Sequence, residues 1–548
     1  MKFRKLNTFK NFIIITTGIA VVIPLILLQG CGGQRHPMSA EYESIAGAPM
    51  YKERTKRDMA GAAGLTNDMD DGPAVVHNTE EYDIIRENEF KDVKENPLST
   101  LSIDVDTASY SNVRRYISYN QVPPKDAVRI EEMINYFRYE YPQPKGEHPF
   151  SITTEISEAP WNKSNRLLLV GIQGKSLDTE NLKPSNLVFL LDTSGSMNDP
   201  NKLPLLKKSL AILLDELSSK DRIAIVAYAG SAGLVLPSTP ATKKDTILDA
   251  FNSLSAGGST AGGAGIELAY KVAKQNLIKD GNNRVILCTD GDFNVGSSST
   301  SELIRMIEEK RKDDIYLTIC GFGMGNYKDG RMEQISNAGN GNYFYVDNIK
   351  EAKKIFGREM RANMFTIAKD VKIQIEFNPL KVKGYRLIGY ENRLLAKEDF
   401  DDDKKDAGEL GAGHTVTALY ELIPAGSTQD TKTSGNLKYQ ETKIKPDASA
   451  KNEIMTLKMR YKPIKENTSK LIEQGVIDTN ISFASASENF RFASSVAGFG
   501  MLLRDSKFKN DLTAKEVMRI AKSAKGKDEE GYRAEFITLV EKFELLSK

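Results

Sequence analysis

Residues 187–197, reading Leu-Val-Phe-Leu-Leu-Asp-Thr-Ser-Gly-Ser-Met, constrain the fold more than any other stretch of the chain. The apolar run 187–191 is unbroken, a pattern that suits a strand covered on both faces. The stretch then switches to oxygen-bearing side chains around one glycine. In open α/β sheets, ligands bind just past the carboxyl end of such a strand. Asp192, Ser194 and Ser196 alternate along the loop, so all three can face one point while Gly195 lets the backbone bend. One carboxylate and two hydroxyls suit a hard cation.

Two further segments can bring oxygen to the same rim. The glycine-rich run 257–265 contains Thr260 and precedes a helical pattern, and the β-rich run 284–289 ends in Asp290. The order Asp-x-Ser-x-Ser, then Thr260, then Asp290 resembles the metal-ion-dependent adhesion site of the von Willebrand factor A (VWA) family. The resemblance implies that Asp192, Ser194, Ser196, Thr260 and Asp290 hold Mg²⁺, or alternatively Mn²⁺ or Ca²⁺. It also implies that an open coordination position takes an acidic side chain from a protein partner. The plain alternative is that Ser194 or Ser196 caps a helix over 204–216.

Between 184 and 364 apolar runs and helical patterns alternate, which calls for a mostly parallel sheet with helices on both faces. A short strand over 233–236 follows its predecessor too closely for a helical crossover, so it must return as an antiparallel edge. No Gly-x-x-x-x-Gly-Lys-[Ser/Thr] or Gly-x-Gly-x-x-Gly motif is present, which argues against nucleotide binding. The four histidines, at 36, 77, 148 and 414, lie outside this unit, so the rim has no obvious general base and the expectation is binding rather than catalysis. Cys288 and Cys320 fall on neighbouring strands and are expected as buried free thiols.

The regions on either side are β-rich but incomplete, over 150–173 before the unit and 371–461 after it. Together they predict one β-sandwich-like domain interrupted by an inserted Rossmann-like VWA domain, with helical segments toward both termini. The resulting divisions are 96–183, 184–364, 365–465 and a helical region 466–548. The insert should enter and leave at the end of its sheet opposite the metal loops, pointing the metal outward. The segment 102–116, with 126–137 after it, and the region 389–424 resemble YfbK-like bacterial VWA lipoproteins.

Asp104-Val-Asp106-Thr107 follows a strand and precedes a helix, so Asp106 or Thr107 is expected to cap that helix. A second cation site is an alternative there, and a haloacid-dehalogenase-type nucleophile is a weaker one, because the further motifs of that chemistry are missing. The acidic run 399–403 fails the EF-hand spacing and reads as a solvated loop.

At the amino terminus, Lys2, Arg4, Lys5 and Lys10 precede an apolar run over 12–28 and then Leu-Gln-Gly-Cys31. This layout reads as a signal peptide over 1–30. The tetrapeptide resembles a bacterial lipobox, which implies lipidation of Cys31; an uncleaved membrane anchor is the alternative. Residues 31–95 are polar and aperiodic, as in a tether spanning roughly 45 Å. The expected location is the bacterial cell envelope, lipid-anchored at the outer membrane on its periplasmic face or at the surface. With 75 basic and 74 acidic residues the net charge is +1, so nucleic acid is not an expected partner. The reading is a metal-dependent protein-binding module; the competing readings are a structural envelope protein whose metal orders loops and, distantly, a phosphohydrolase.

Overall fold

The computed structural model describes residues 79–548 apart from 179–181, 260–261, 292, 294–299, 432, 434–437 and 440–442. The signal segment, Cys31 and Thr260 therefore lie outside the described residues. Ahead of the insert come β1 (Lys91–Asp92), β2 (Leu98–Ser102), α1 (Ala108–Ser118), α2 (Ile130–Asn135), β3 (Phe150–Ala159) and β4 (Asn162–Gly174).

The insert opens with β5 (Ser185–Asp192), α3 (Leu203–Glu216), β6 (Arg222–Tyr228), β7 (Ala232–Pro240), α4 (Lys244–Ser253) and α5 (Gly262–Gln275). It continues through β8 (Asn282–Thr289), α6 (Thr300–Arg311), β9 (Ile315–Phe322), α7 (Asp329–Ala338) and β10 (Tyr343–Val346), and closes with α8 (Ile349–Ala352) and α9 (Met360–Met364). Its strand order is β10-β9-β8-β5-β6-β7, parallel except for β7, which pairs antiparallel with β6 at the edge. Every residue of β5 is buried. Leu187, Phe189 and Leu191 face one helical layer and Val188 and Leu190 the other, which is why the run contains no polar break. Cys288 sits directly opposite Cys320 on adjacent strands, and both are buried free thiols.

After the insert come β11 (Thr366–Phe377), β12 (Val382–Ile388), β13 (Gly408–Gly411), β14 (Thr415–Pro424), α10 (Asp447–Ala450), β15 (Met455–Pro463) and β16 (Lys470–Val476). Three helices follow: α11 (Glu488–Arg504), α12 (Ala514–Ser523) and α13 (Tyr532–Leu546). One sheet runs β1-β12-β14-β4-β3 and the other β13-β11-β15-β16, with β2 also on β11. In β4, Leu168, Val170 and Ile172 enter the core between the sheets, whereas Leu167 and Leu169 face the helical cluster built from α1, α2 and α11–α13. The period-2 alternation thus serves two cores at once.

The sandwich is split by the insert. β14 lies between β12 and β4, so neither half of the chain can complete that sheet alone. The two junctions converge, since Gly413 N donates to Lys175 O at 3.0 Å and Ala412 N donates to Phe365 O at 2.8 Å. At the sheet end opposite the loops, Pro184 O accepts from Asn282 N at 2.9 Å and Met364 O accepts from Arg284 at 3.4 Å.

Two expectations change. The carboxy-terminal region is not wholly helical from 466, because β16 pairs with β15 along Met455–Val476 to Tyr461–Lys470. The tether ends before 95, because residues 79–95 are docked. Thr79 N donates to Gly325 O at 2.7 Å, Arg115 pairs with Glu80 at 2.7 Å, Ile85 N donates to Asp126 at 2.9 Å, and β1 pairs with β12. The loop after β9 is therefore flanked by the amino-terminal segment.

Buried guanidiniums fasten the insert to its host. Arg114 of α1 bonds Asp347 at 2.8 Å, Glu351 at 2.7 Å and the Tyr136 hydroxyl at 2.8 Å. Burial works against its charge, but Asp347, Tyr136 and Glu351 outweigh it and hold the guanidinium well above its ordinary pKa. Replacing Arg114 by Ala strands two buried carboxylates, so chemical denaturation should show a loss of about 3–5 kcal/mol. A fragment spanning 365–548 should show no cooperative thermal transition, because it lacks β2, β3 and β4; a sharp transition from that fragment would contradict the split sheet.

Candidate metal centre

Asp192 closes β5 and Asp290 follows β8, and these two strands are parallel neighbours. The two carboxylates therefore reach the rim side by side, both fully buried. Asp192 is held on both oxygens. Oδ1 accepts from Ser194 N at 2.9 Å, and Oδ2 accepts from the Tyr228 hydroxyl and the Thr289 hydroxyl, each at 3.1 Å. Tyr228 is delivered by register, since it pairs with Asp192 across β5 and β6. Burial pushes the Asp192 carboxyl above its ordinary pKa and Asp290 adds to the rise, against hydrogen bonds from Ser194 and Tyr228.

The hydroxyls of Ser194 and Ser196 lie 3.0 Å apart. Neither makes a side-chain cap on α3, whose cap position is Lys202. The turn Gly195–Asn198 brings Ser196 back over the strand end. The glycine-rich loop is stapled to this turn: Gly257 N donates to Thr193 O at 2.8 Å, and Gly195 N donates to Gly258 O at 3.1 Å. Gly258 adopts φ +84°, which a glycine accepts without strain. Gly291 has φ +103°, and a Cβ there would lie 2.7 Å from Tyr327 Cα, so the loop after Asp290 is pressed against the one after β9.

Of the five residues singled out from the sequence, four converge at the rim. Three residues that hold the site were not foreseen. Tyr228 and Thr289 fix Asp192, and Lys202, only 5% exposed, donates from Nζ to Asp290 Oδ2 at 3.0 Å and to Ser196 O at 3.0 Å. Two buried carboxylates with two hydroxyls form an all-oxygen donor set suited to a hard divalent ion. An ammonium already drawn to Asp290 shows that the position attracts positive charge. The donors present thus fit the ion that the adhesion-site pattern implies.

Neither Asp106 nor Thr107 caps α1 with its side chain. Its cap residue Thr107 makes no side-chain bond, and Asp106 Oδ1 instead accepts from Tyr343 N at 2.8 Å. Asp104, Asp106 and Glu333 cluster closely enough to hold a metal, yet Arg393 occupies their centre, bonding them at 3.2, 3.3 and 3.2 Å. The arrangement is an ion-pair joint between host and insert. The acidic run 399–403 is likewise engaged, because Lys372 Nζ donates to the carbonyls of Asp399 at 2.9 Å and Asp402 at 2.6 Å.

Known protein families match most of the chain. The model of the von Willebrand factor type A domain matches residues 186–358, and one described as von Willebrand factor matches 76–169. The model of the YfbK carboxy-terminal region matches 362–546. The uncharacterized protein YfbK of Escherichia coli K12 is 43% identical over 470 residues, spanning 84% of this chain and 81% of that one. The chain belongs to the YfbK family. Inter-alpha-trypsin inhibitor heavy chain H4 of Homo sapiens is 30% identical over 151 residues, which cover 26% of this chain and 16% of that protein. A solved von Willebrand factor type A protein from Catenulispora acidiphila is 16% identical, covering 71% of this chain and 90% of that one, with a TM-score of 0.40. In this YfbK-family chain the VWA unit is the insert, and its sandwich and helices are the host.

The burial of Asp192 has a consequence for mutagenesis. Asp192→Ala leaves the buried hydroxyls of Tyr228 and Thr289 without their acceptor, which costs about 1–3 kcal/mol for each group. Asp192→Asn keeps an acceptor oxygen. Thermal melts should therefore place the Asn variant close to the wild type and the Ala variant clearly below it.

Proposed function

We propose that this protein is a lipid-anchored cell-envelope module that binds one divalent cation, Mg²⁺ or a similar ion, and through it holds an acidic side chain of a protein partner. The observation that carries the reading is the pair of buried carboxylates, Asp192 and Asp290, on adjacent strand ends with the Ser194 and Ser196 hydroxyls beside them. Asp192, Ser194, Ser196 and Asp290, with Thr260, would hold the ion. The bound ion supplies an electrophilic open position for a carboxylate. Tyr228 and Thr289 orient Asp192, and the Gly257 and Gly195 backbone bonds keep the two loops together.

Lipidation at Cys31 rests on the basic and apolar layout ahead of it, which would tie the head to the outer membrane. Among the described residues no helix is long and apolar enough to cross a membrane.

Calorimetry of the full chain with Mg²⁺ and Mn²⁺ tests the metal. The wild type should bind one ion, and Asp192→Asn should bind at least about tenfold more weakly, since a neutral amide replaces a carboxylate ligand. Equal binding by the two proteins would refute the site. Crosslinking in intact cells should capture a partner that is lost on adding EDTA; a partner retained in EDTA would favour the structural role. Fatty-acid labelling should disappear in Cys31→Ser, and its persistence would remove the anchor.

A further inference from the structure

Lys202 is the residue at the rim that the adhesion-site pattern does not account for. It stands at the cap of α3 with its ammonium buried on Asp290, and its carbonyl accepts from Leu206 N at 2.8 Å, so its backbone is fixed by the helix. The aliphatic stem is closely packed. It lies against Gly323, which has φ +77°, and a Cβ on that glycine would come within 2.3 Å of Lys202 Cε. The loop after β9 therefore carries a glycine where this lysine needs room. The ammonium has a second carboxylate within reach, because Asp199 Oδ2 lies 3.6 Å away and its side chain is 66% exposed.

We propose that Lys202 is a built-in competitor for the cation: its ammonium holds Asp290 until a divalent ion takes that carboxylate, and then moves outward to Asp199. This rests on the divalent-ion reading above. One ammonium on one of two site carboxylates removes half of the charge that attracts the ion. The competition lowers divalent affinity and couples ion binding to release of the Ser196 carbonyl, which the ammonium holds at 3.0 Å on the turn that presents the Ser196 hydroxyl. Occupancy of the rim then depends on the ambient divalent concentration rather than being permanent.

Lys202→Met tests this, because methionine keeps an unbranched stem against Gly323 and removes the charge. Calorimetry of the full chain should show Mg²⁺ and Mn²⁺ bound at least about tenfold more tightly than by the wild type. The rise in melting temperature on adding Mg²⁺ should be correspondingly larger. Affinity that is unchanged or weaker in Lys202→Met, with the wild type still binding, overturns the competition and leaves the metal site standing. If neither protein binds either ion, the site itself fails and the competition with it.

A second measurement needs no variant. Lysine methylation of the wild type, mapped by mass spectrometry, should find Lys202 protected in EDTA and modified in saturating Mg²⁺. Equal protection in both conditions overturns the outward movement. Asp199→Ala removes the outer carboxylate and should weaken Mg²⁺ binding several-fold by raising the free energy of the displaced ammonium; an unchanged affinity would exclude Asp199 as its destination.

Discussion

The insert depends on buried guanidinium groups that meet carboxylates from separate parts of the chain. Arg129 reaches Glu132 within its own segment and Asp329 of the insert, Arg393 joins Asp104 and Asp106 to Glu333, and Arg114 joins Asp347, Glu351 and Glu535. Such joints are directional. An apolar interface could slide, whereas a guanidinium fork accepts its carboxylates in one arrangement. Removing either side leaves a buried unpaired charge, so host and insert are committed to one relative position. This requirement explains a sandwich divided by a domain with a sheet and two cores of its own.

How far the sequence could be read follows from where each signal lies. The insert was legible because a parallel sheet covered on both faces demands apolar runs: 187–191 and 285–288 are unbroken, and 315–320 is interrupted only by Thr318. The loop after β5 was legible because three oxygen-bearing side chains, Asp192, Ser194 and Ser196, lie within five residues at the end of a strand. Lys202 was not legible, since a lysine before an amphipathic helix looks like ordinary solvated flank. Its partner Asp290 is 88 residues away, and the room for its stem is made by Gly323 on a third loop.

Asp104 and Asp106 misled for the same reason. An aspartate between a strand and a helix is locally a cap, and only the fold brings Arg393 to them across 289 and 287 residues. Residues 79–95 looked like tether because they are polar and aperiodic. They are held by individual ion pairs and backbone bonds, which leave no periodic trace. The short strand β13 and the exposed β16 leave a weak trace in the sequence because edge strands alternate weakly and carry charge.

The docking of Thr79 and Glu80 gives the head a definite point of mechanical entry. A pull on the chain upstream of Thr79 loads its bond to Gly325 and the Glu81 bond to Tyr327, then the Glu80 pairs with Arg115 and with the Gly325 amide. These bonds grip the loop after β9, and the near end of that loop is Gly323, the wall against the Lys202 stem. Tension therefore arrives within a few residues of Gly323 and, through the buried Tyr327, at the core of the insert. A load on the leading segment is thus felt beside the rim as well as in the core of the insert.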